Sequence, residues 1–294
     1  MKFCRGGPPW PPNLEPTEGL PYILWLIMNI FNQSALKTKN GLPYFEIPEM
    51  ADMGWLQHGF LTRKRGVSPP PYHSLNLSNP ASTRDGDRDE YISQNKNLIA
   101  AAFRFDLRRL TLLDQIHQDQ ILLLKEPVIT LPSPLEYDAL ITNVSNTFLG
   151  ILTADCLPIF VVDQKKKVIA AVHAGRQGTA LHIVIKVLKK IEREFNSSSK
   201  DLLIALGPSI KPCCYEIDEK VFLPEWEPFS TSKGRGKWML DLAGINIAQM
   251  KEEGIQEEQI FWIDLCTCCH HDLFFSYRKE NRTGRQLSFI GIME

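Results

Sequence analysis

Short apolar runs punctuate the chain at close intervals. Phe148 to Thr153, Leu157 to Val162 and Val168 to Val172 are each of strand length, with polar breaks between them. Such runs predict strands buried in a core. After Gly175-Arg-Gln-Gly178-Thr179 the period changes. Leu181, Val184, Ile185, Leu188, Ile191 and Phe195 recur at helical spacing, and Lys186, Lys189, Lys190, Glu192 and Arg193 take the wet side. This predicts one helix with a single buried stripe, ended at Asn196 to Ser199. Leu202 to Leu206, closed by Gly207-Pro208, predicts another strand. Leu240 to Glu253 predicts a second helix, with Asp241 placed to cap or charge its first turn. Ile260 to Ile263 and Leu287 to Ile292 predict late strands. The pattern is that of a mixed α/β chain of the α+β class: one domain of mixed β-sheets flanked by helices.

The first 41 residues are different in kind. Gly6-Gly7-Pro8-Pro9 and Pro11-Pro12 precede a short apolar run, Tyr22 to Phe31. That run falls short of the ~20 residues a bilayer requires. The stretch before it is rich in proline and acidic residues, and no small-residue cleavage site follows, which argues against a signal peptide. We therefore expect an extension over 1–41 and a catalytic domain over 42–294.

Composition narrows the function classes. The chain has 294 residues, 44% hydrophobic and 23% charged, with a formal net charge of -1. A chain this long buries enough surface to fold without staples. The absence of a basic excess argues against nucleic acid as partner, and no stretch argues for a membrane. Seven cysteines include the neighbours Cys213 and Cys214 and the cluster Cys266, Cys268 and Cys269. Adjacent cysteines make a poor disulfide framework, so reduced thiols and a cytoplasmic location are expected.

Three segments carry candidate chemistry. Thr153-Ala-Asp155-Cys156-Leu-Pro158 ends a strand on a polar pair and a cysteine. Val172-His173-Ala-Gly175 ends another on a histidine, before glycines at 175 and 178 and a predicted helix N-terminus, an arrangement suited to an anion. Gln115-Ile-His117 follows the apolar Leu110 to Leu113. Taken singly, each reads as a structural residue. Taken together, His117, Cys156 and His173 suit zinc, and three protein ligands leave a fourth position open, as in catalytic sites. Asp155 is a candidate to orient a ligand. The run Cys266-Thr-Cys268-Cys269-His270-His271 lacks an obvious second pair at zinc-site spacing, although Cys213 and Cys214 could serve. Incidental thiols in a strand-to-loop segment are expected there.

In this order the blocks resemble the YfiH-like family, whose names include laccase-domain protein, polyphenol oxidase, peptidoglycan editing factor and purine nucleoside phosphorylase. The similarity runs from about His58 to Ile292. Its blocks are His58-Gly-Phe-Leu-Thr62-Arg63, Gly66-Val67-Ser68, Tyr72-His-Ser74-Leu75-Asn76-Leu77, Gln115-Ile-His117 and Asp138-Ala139-Leu140. They continue through Thr153 to Pro158, Ala171 to Gly175, Leu206-Gly-Pro208, Pro212-Cys-Cys-Tyr215-Glu216, Cys266-Thr267 and Phe275-Ser276-Tyr277-Arg278. The resemblance implies a catalytic zinc on His117, Cys156 and His173, with the Cys266 cluster outside the active metal site. It implies phosphorolysis of adenosine and inosine to ribose 1-phosphate and free base, with methylthioadenosine phosphorolysis and adenosine deamination as further activities. Two departures stand out. Arg176-Gln177 occupies the place where the family usually has Trp-Arg, and Arg65 replaces a glycine.

On this reading purine nucleosides and phosphate are the partners. Cys156, His173 and Asp155 are the catalytic candidates. Arg63, Arg278, Asn76 and the Gly175 to Gly178 turn are the substrate-binding candidates. Three rivals remain. A copper polyphenol oxidase would need more histidines than the seven present. A hydrolase built on Cys156 and His173 would keep activity after chelation. A non-enzymatic partner role would not depend on Cys156.

Overall fold

The computed structural model describes residues 36–78, 86–126 and 135–294. The Pro-rich start, Cys4 and the Tyr22 to Phe31 run lie outside the described residues. Fifteen strands run through the described chain: β1 (Leu36–Lys39), β2 (Leu42–Phe45), β3 (Leu56–Leu61), β4 (Leu110–Thr111), β5 (Ile121–Leu124), β6 (Ala139–Thr142), β7 (Thr147–Thr153) and β8 (Leu157–Asp163), then β9 (Val168–Ala174), β10 (Leu202–Leu206), β11 (Glu216–Asp218), β12 (Ser230–Gly234), β13 (Lys237–Leu240), β14 (Ile260–Trp262) and β15 (Gln286–Ile292). The helices are α1 (Pro48–Ala51), α2 (Asp89–Phe103), α3 (Arg176–Ala180), α4 (Ile183–Phe195), α5 (Leu242–Glu252) and α6 (Tyr277–Glu280).

Two six-stranded sheets result, in the orders β1-β2-β3-β15-β7-β4 and β14-β10-β8-β9-β6-β5, beside a small sheet β11-β13-β12. Both large sheets mix parallel and antiparallel pairs. The β1–β2 hairpin, in register from Leu36↔Phe45 to Lys39↔Leu42, carries the first sheet back ahead of residue 42.

Strand alternation explains the layers. On β8, Phe160 and Val162 face the first sheet, while Leu157, Ile159 and Val161 face helices. On β15, Ile290 and Ile292 point inward, while Leu287 and Phe289 point outward. Phe60 stacks on Phe160 between the sheets, ring centroids 4.6 Å apart. Helices α4 and α5 cover the outer face of the second sheet, and α2 covers that of the first. Each fully buried Leu, Ile or Phe in these layers contributes on the order of 1.5–3 kcal/mol of transfer free energy.

The single helix expected from Gly175 onward is two. His182 takes a left-handed conformation (φ 58°) between the five-residue α3 and the thirteen-residue α4. The break leaves Leu181 exposed and resets the buried stripe to Ile183, Val184, Val187, Leu188 and Ile191. The long helix therefore does not present its N-terminus at Gly175. Asp241 is an N-cap as expected, its carboxylate accepting from the Gly244 N–H at 2.9 Å. Leu240, expected in that helix, ends β13 instead. Among the described residues no helix is long and apolar enough to cross a membrane.

Candidate active site

The register of the second sheet brings the distant motifs together. On one side of β9, Ala139 pairs with Val172, which sets Asp138 beside His173. On the other side, Leu157 pairs with Ala174, which sets Cys156 beside Gly175. His173 shares strand parity with Ile169 and Ala171, so its ring points between the sheets at their open end. His117 arrives from the loop between β4 and β5. Gln115 anchors that loop by exchanging two hydrogen bonds of 2.8 Å with the backbone of Leu152.

Asp138 organises both histidines. Its carboxylate accepts from His173 Nδ1 at 2.7 Å, from the His117 N–H at 3.0 Å and from the Gln118 N–H at 2.7 Å. These bonds hold His117 at φ 60°, a left-handed conformation that a non-glycine residue adopts at a cost of roughly 1 kcal/mol. A carboxylate can only accept, so Nδ1 of His173 carries the proton and Nε2 is the nitrogen left for the cluster. One donor atom from each of His117, Cys156 and His173 lies within 4.8 Å of the others. The two imidazole rings sit edge to face, centroids 4.8 Å apart.

Charge follows from this packing. Burial alone would raise the Cys156 thiol, but His173 and His117 outweigh it and hold the thiol down to about 6. Burial likewise opposes the imidazolium of His173, yet Cys156 and Asp138 raise it to about 9. The thiolate form, which is the form that binds metal, is thus present at neutral pH. Gly175 leaves the space above the cluster. A Cβ there would lie 3.1 Å from Cys156 Sγ and 3.3 Å from His117 Cδ2. Two imidazoles, one thiolate and this cradle fit a borderline-soft divalent ion.

The cluster floors a cleft of about 460 Å³. Arg176, Arg278 and Arg285 line it together with Tyr215 and Tyr277. Arg278 is fixed by donating to the carbonyls of Glu216 (2.9 Å) and Cys214 (3.3 Å). Burial is the main force on Tyr215, pushing its hydroxyl up to about 12, opposed by Arg176 and Arg278.

Several expected site residues lie elsewhere. Arg63 follows β3 and is buried, bonded to Glu280 (2.8 Å) and to the carbonyls of His73 and His271. Asn76 is buried and ties Ser78, Asp87 and Arg285 to one another. Neither lines the cleft; each holds a loop. Gly178 is buried against the Gln118 backbone. Asp155 lines the cleft, but its oxygens are taken by Thr267 Oγ1 and the Arg278 N–H, both at 2.6 Å. The carboxylate that orients a histidine is Asp138. Arg285 and Tyr215 carried no sequence signal of their own as site residues, although Tyr215 sits in a family block; Arg176 stood out only as a departure within the Gly175 to Gly178 turn. The sulfurs of Cys266 and Cys269 meet those of Cys213 and Cys214 across two turns.

Fold and site together define an α+β protein with a His–Cys–His cluster at the floor of an arginine-lined cleft. The chain belongs to the family described as multi-copper polyphenol oxidoreductase laccase, which matches residues 57–293. It is 31% identical over 250 residues to the purine nucleoside phosphorylase YlmD of Bacillus subtilis, covering 80% of this chain and 88% of that protein. It is 32% identical over 277 residues to a purine nucleoside phosphorylase of Bacteroides thetaiotaomicron, covering 88% and 98%. The crystal structure of YlmD from Geobacillus stearothermophilus superposes with a TM-score of 0.79 at 27% identity, over 88% of this chain and 99% of that one.

Proposed function

We propose that this chain is a zinc-dependent purine nucleoside phosphorylase that cleaves adenosine and inosine, and also methylthioadenosine, to ribose 1-phosphate and free base. The observation that carries the reading is the convergence of His117, Cys156 and His173 on the floor of a cleft lined by three arginines. The names of the relatives, purine nucleoside phosphorylase, support purine nucleosides and phosphate as the substrate class.

His117, Cys156 and His173 would hold the zinc ion, which would supply Lewis acidity at the floor of the cleft. The rest falls to the side chains. Arg176, Arg278 and Arg285 hold phosphate by charge-assisted hydrogen bonds and set one of its oxygens against the ribose C1′. That oxygen forms the new C–O bond as the glycosidic C–N bond breaks, and the base leaves with the bonding pair and takes up a proton. Tyr215, kept neutral by burial, donates a hydrogen bond. Asp138 keeps the His173 proton on Nδ1 throughout. Adenosine deamination would use the same cleft: water adds to the purine C6, the C6–N bond breaks and ammonia leaves, giving inosine. We place the catalytic reaction in the two-sheet domain, whose described part begins at β1 rather than at residue 42, and in the cytoplasm.

One incubation tests this reading: purified protein with adenosine, with and without phosphate and chelator. Adenine and ribose 1-phosphate should appear only with phosphate and vanish on chelation. Inosine would report deamination. A second reading draws on the Cys156–His173 pair, whose thiolate suits a cysteine hydrolase of the kind implied by peptidoglycan editing. That activity would survive chelation. Copper in place of zinc would show as dye oxidation and in the metal content.

A further inference from the structure

The thiols that the reaction does not use form a second cluster. Cys213 and Cys214 lie in the tight turn Lys211 to Tyr215, where the N–H groups of Cys214 and Tyr215 both donate to the Lys211 carbonyl. Cys266 and Cys269 lie in a second turn, closed by the His270 N–H on the Cys266 carbonyl. The bridge between Ser209 and Cys266 fastens the two turns side by side. All four sulfurs lie within 4.8 Å of one another. Cys269 Sγ is 3.3 Å from Cys214 Sγ and 3.6 Å from Cys213 Sγ.

These separations are far longer than the ~2.05 Å of a disulfide. They are close to the spacing of thiolates around one ion: four sulfurs at ~2.3 Å from a tetrahedral zinc stand about 3.8 Å apart. The sequence spacing agrees, since Cys266-Thr-Cys268-Cys269 is a C-x2-C turn of the zinc-binding type. A second observation points the same way. The backbone N–H groups of Cys269, Lys211 and Cys268 all donate to the Cys266 sulfur. Amide donation of this kind stabilises a thiolate and orients it, as outer hydrogen bonds do around metal ligands. In the reduced chain, deprotonating all four would bring like charges together, which a cation among them would offset.

We propose that Cys213, Cys214, Cys266 and Cys269 form a structural zinc site, separate from the catalytic cluster and closed to substrate. Cys213, Cys214 and Cys266 are free thiols. Cys269 enters a disulfide, so the full set of four belongs to the reduced chain. A dithiol reductant breaks that bond to give two thiols and is itself converted to its cyclic disulfide. Zinc binding then releases the thiol protons.

The position of the site gives it a purpose. Tyr215, next to Cys214, lines the catalytic cleft, and the Cys214 carbonyl accepts from Arg278. Thr267, next to Cys266, donates to Asp155, the neighbour of Cys156. An ion here clamps the two segments that form one wall of the cleft.

The test uses the full chain, reduced with a dithiol under argon, loaded with zinc(II) or cobalt(II) and dialysed. Elemental analysis should give two zinc ions per chain for the unaltered protein, and one each for Cys156→Ser and Cys266→Ser. Cobalt-loaded Cys156→Ser should show the intense visible bands of a tetrathiolate. Zinc should protect the four cysteines from alkylation, read by peptide mass. A Cys156→Ser protein that binds no ion would overturn the proposal. So would equal alkylation with and without zinc, or disulfides pairing the four cysteines in the reduced, zinc-treated chain. Should Cys266→Ser fail to fold, the Cys156→Ser arm decides alone.

Discussion

Asp138 and His173 are joined twice: the carboxylate accepts the Nδ1 proton at 2.7 Å, and the Asp138 carbonyl accepts the His173 N–H at 2.7 Å. The side chain that sets the tautomer is therefore carried by the same strand pairing that positions the ring. Asp138→Asn keeps the shape but supplies a poorer acceptor. It should weaken zinc binding at the catalytic cluster about 10- to 100-fold, measured by competition with a chromogenic chelator. Unchanged affinity would mean that the strand register alone orients the ring.

Gly175→Ala tests the cradle. At φ -74° the glycine needs no special backbone freedom, so the substitution acts only through space. The new Cβ would press on Cys156 Sγ and His117 Cδ2. Zinc content and phosphorolysis should both fall while the melting temperature stays within a few degrees. A fully active Ala variant would show that the ligands have room to move apart.

Much of the fold was legible because apolar runs of strand length have few alternatives: β7, β8, β9 and β10 lie where the pattern put them, within two residues. The helix after Gly175 was misread because Leu181 matched the stripe, whereas the left-handed turn at His182 left no periodic signal. The convergence of His117, Cys156 and His173 was readable from residue chemistry. Their orienting carboxylate was not, because Asp138 reaches His173 only through strand register. Arg63 and Asn76 were misplaced for a related reason. Polar residues in a motif look alike whether they meet substrate or brace a loop, and burial separates the two.

The Cys156 thiol gives a pH dependence in metal-free protein. Alkylation follows the thiolate, and the thiol is held down to about 6 despite burial, chiefly by His173. The rate should therefore stay high at pH 7 and fall only as pH drops through about 6. An ordinary thiol would already lose reactivity below ~8.5. Zinc should suppress the reaction across this range. A midpoint near the ordinary value would show that the imidazolium is not in place.

His58 makes a separate prediction about stability. It is buried, and its Nε2 accepts from the Ile47 N–H at 2.9 Å, which requires the neutral ring. Burial lowers its pKa to about 4. The unfolded chain, near the ordinary ~6.5, therefore binds the proton more readily between these values. Stability from this group is present above pH ~6.5 and is lost as pH falls through about 4, on the order of 3 kcal/mol in all. Denaturant titrations across that window should show the slope, and His58→Gln should flatten it. An unchanged slope in the variant would assign the acid sensitivity to other groups.

Arg176 stands where the family usually has tryptophan, and Gln177 where it has arginine, and both side chains line the cleft. A cation thus stands one residue earlier in a short helix, still on the cleft wall. Arg176→Ala removes charged hydrogen bonds to phosphate, each worth about 1.5–3 kcal/mol. The KM for phosphate should rise on the order of 10- to 100-fold, with the KM for nucleoside little changed. Arg176→Trp alone should show the same defect, and adding Gln177→Arg should restore phosphate binding. Arg63→Ala is the contrasting variant. It breaks the buried ion pair with Glu280 and should lower stability by about 3 kcal/mol, leaving the phosphate KM of the folded fraction intact. If Arg176→Ala leaves the phosphate KM where it was, Arg278 and Arg285 alone hold the anion and the shift has no catalytic consequence.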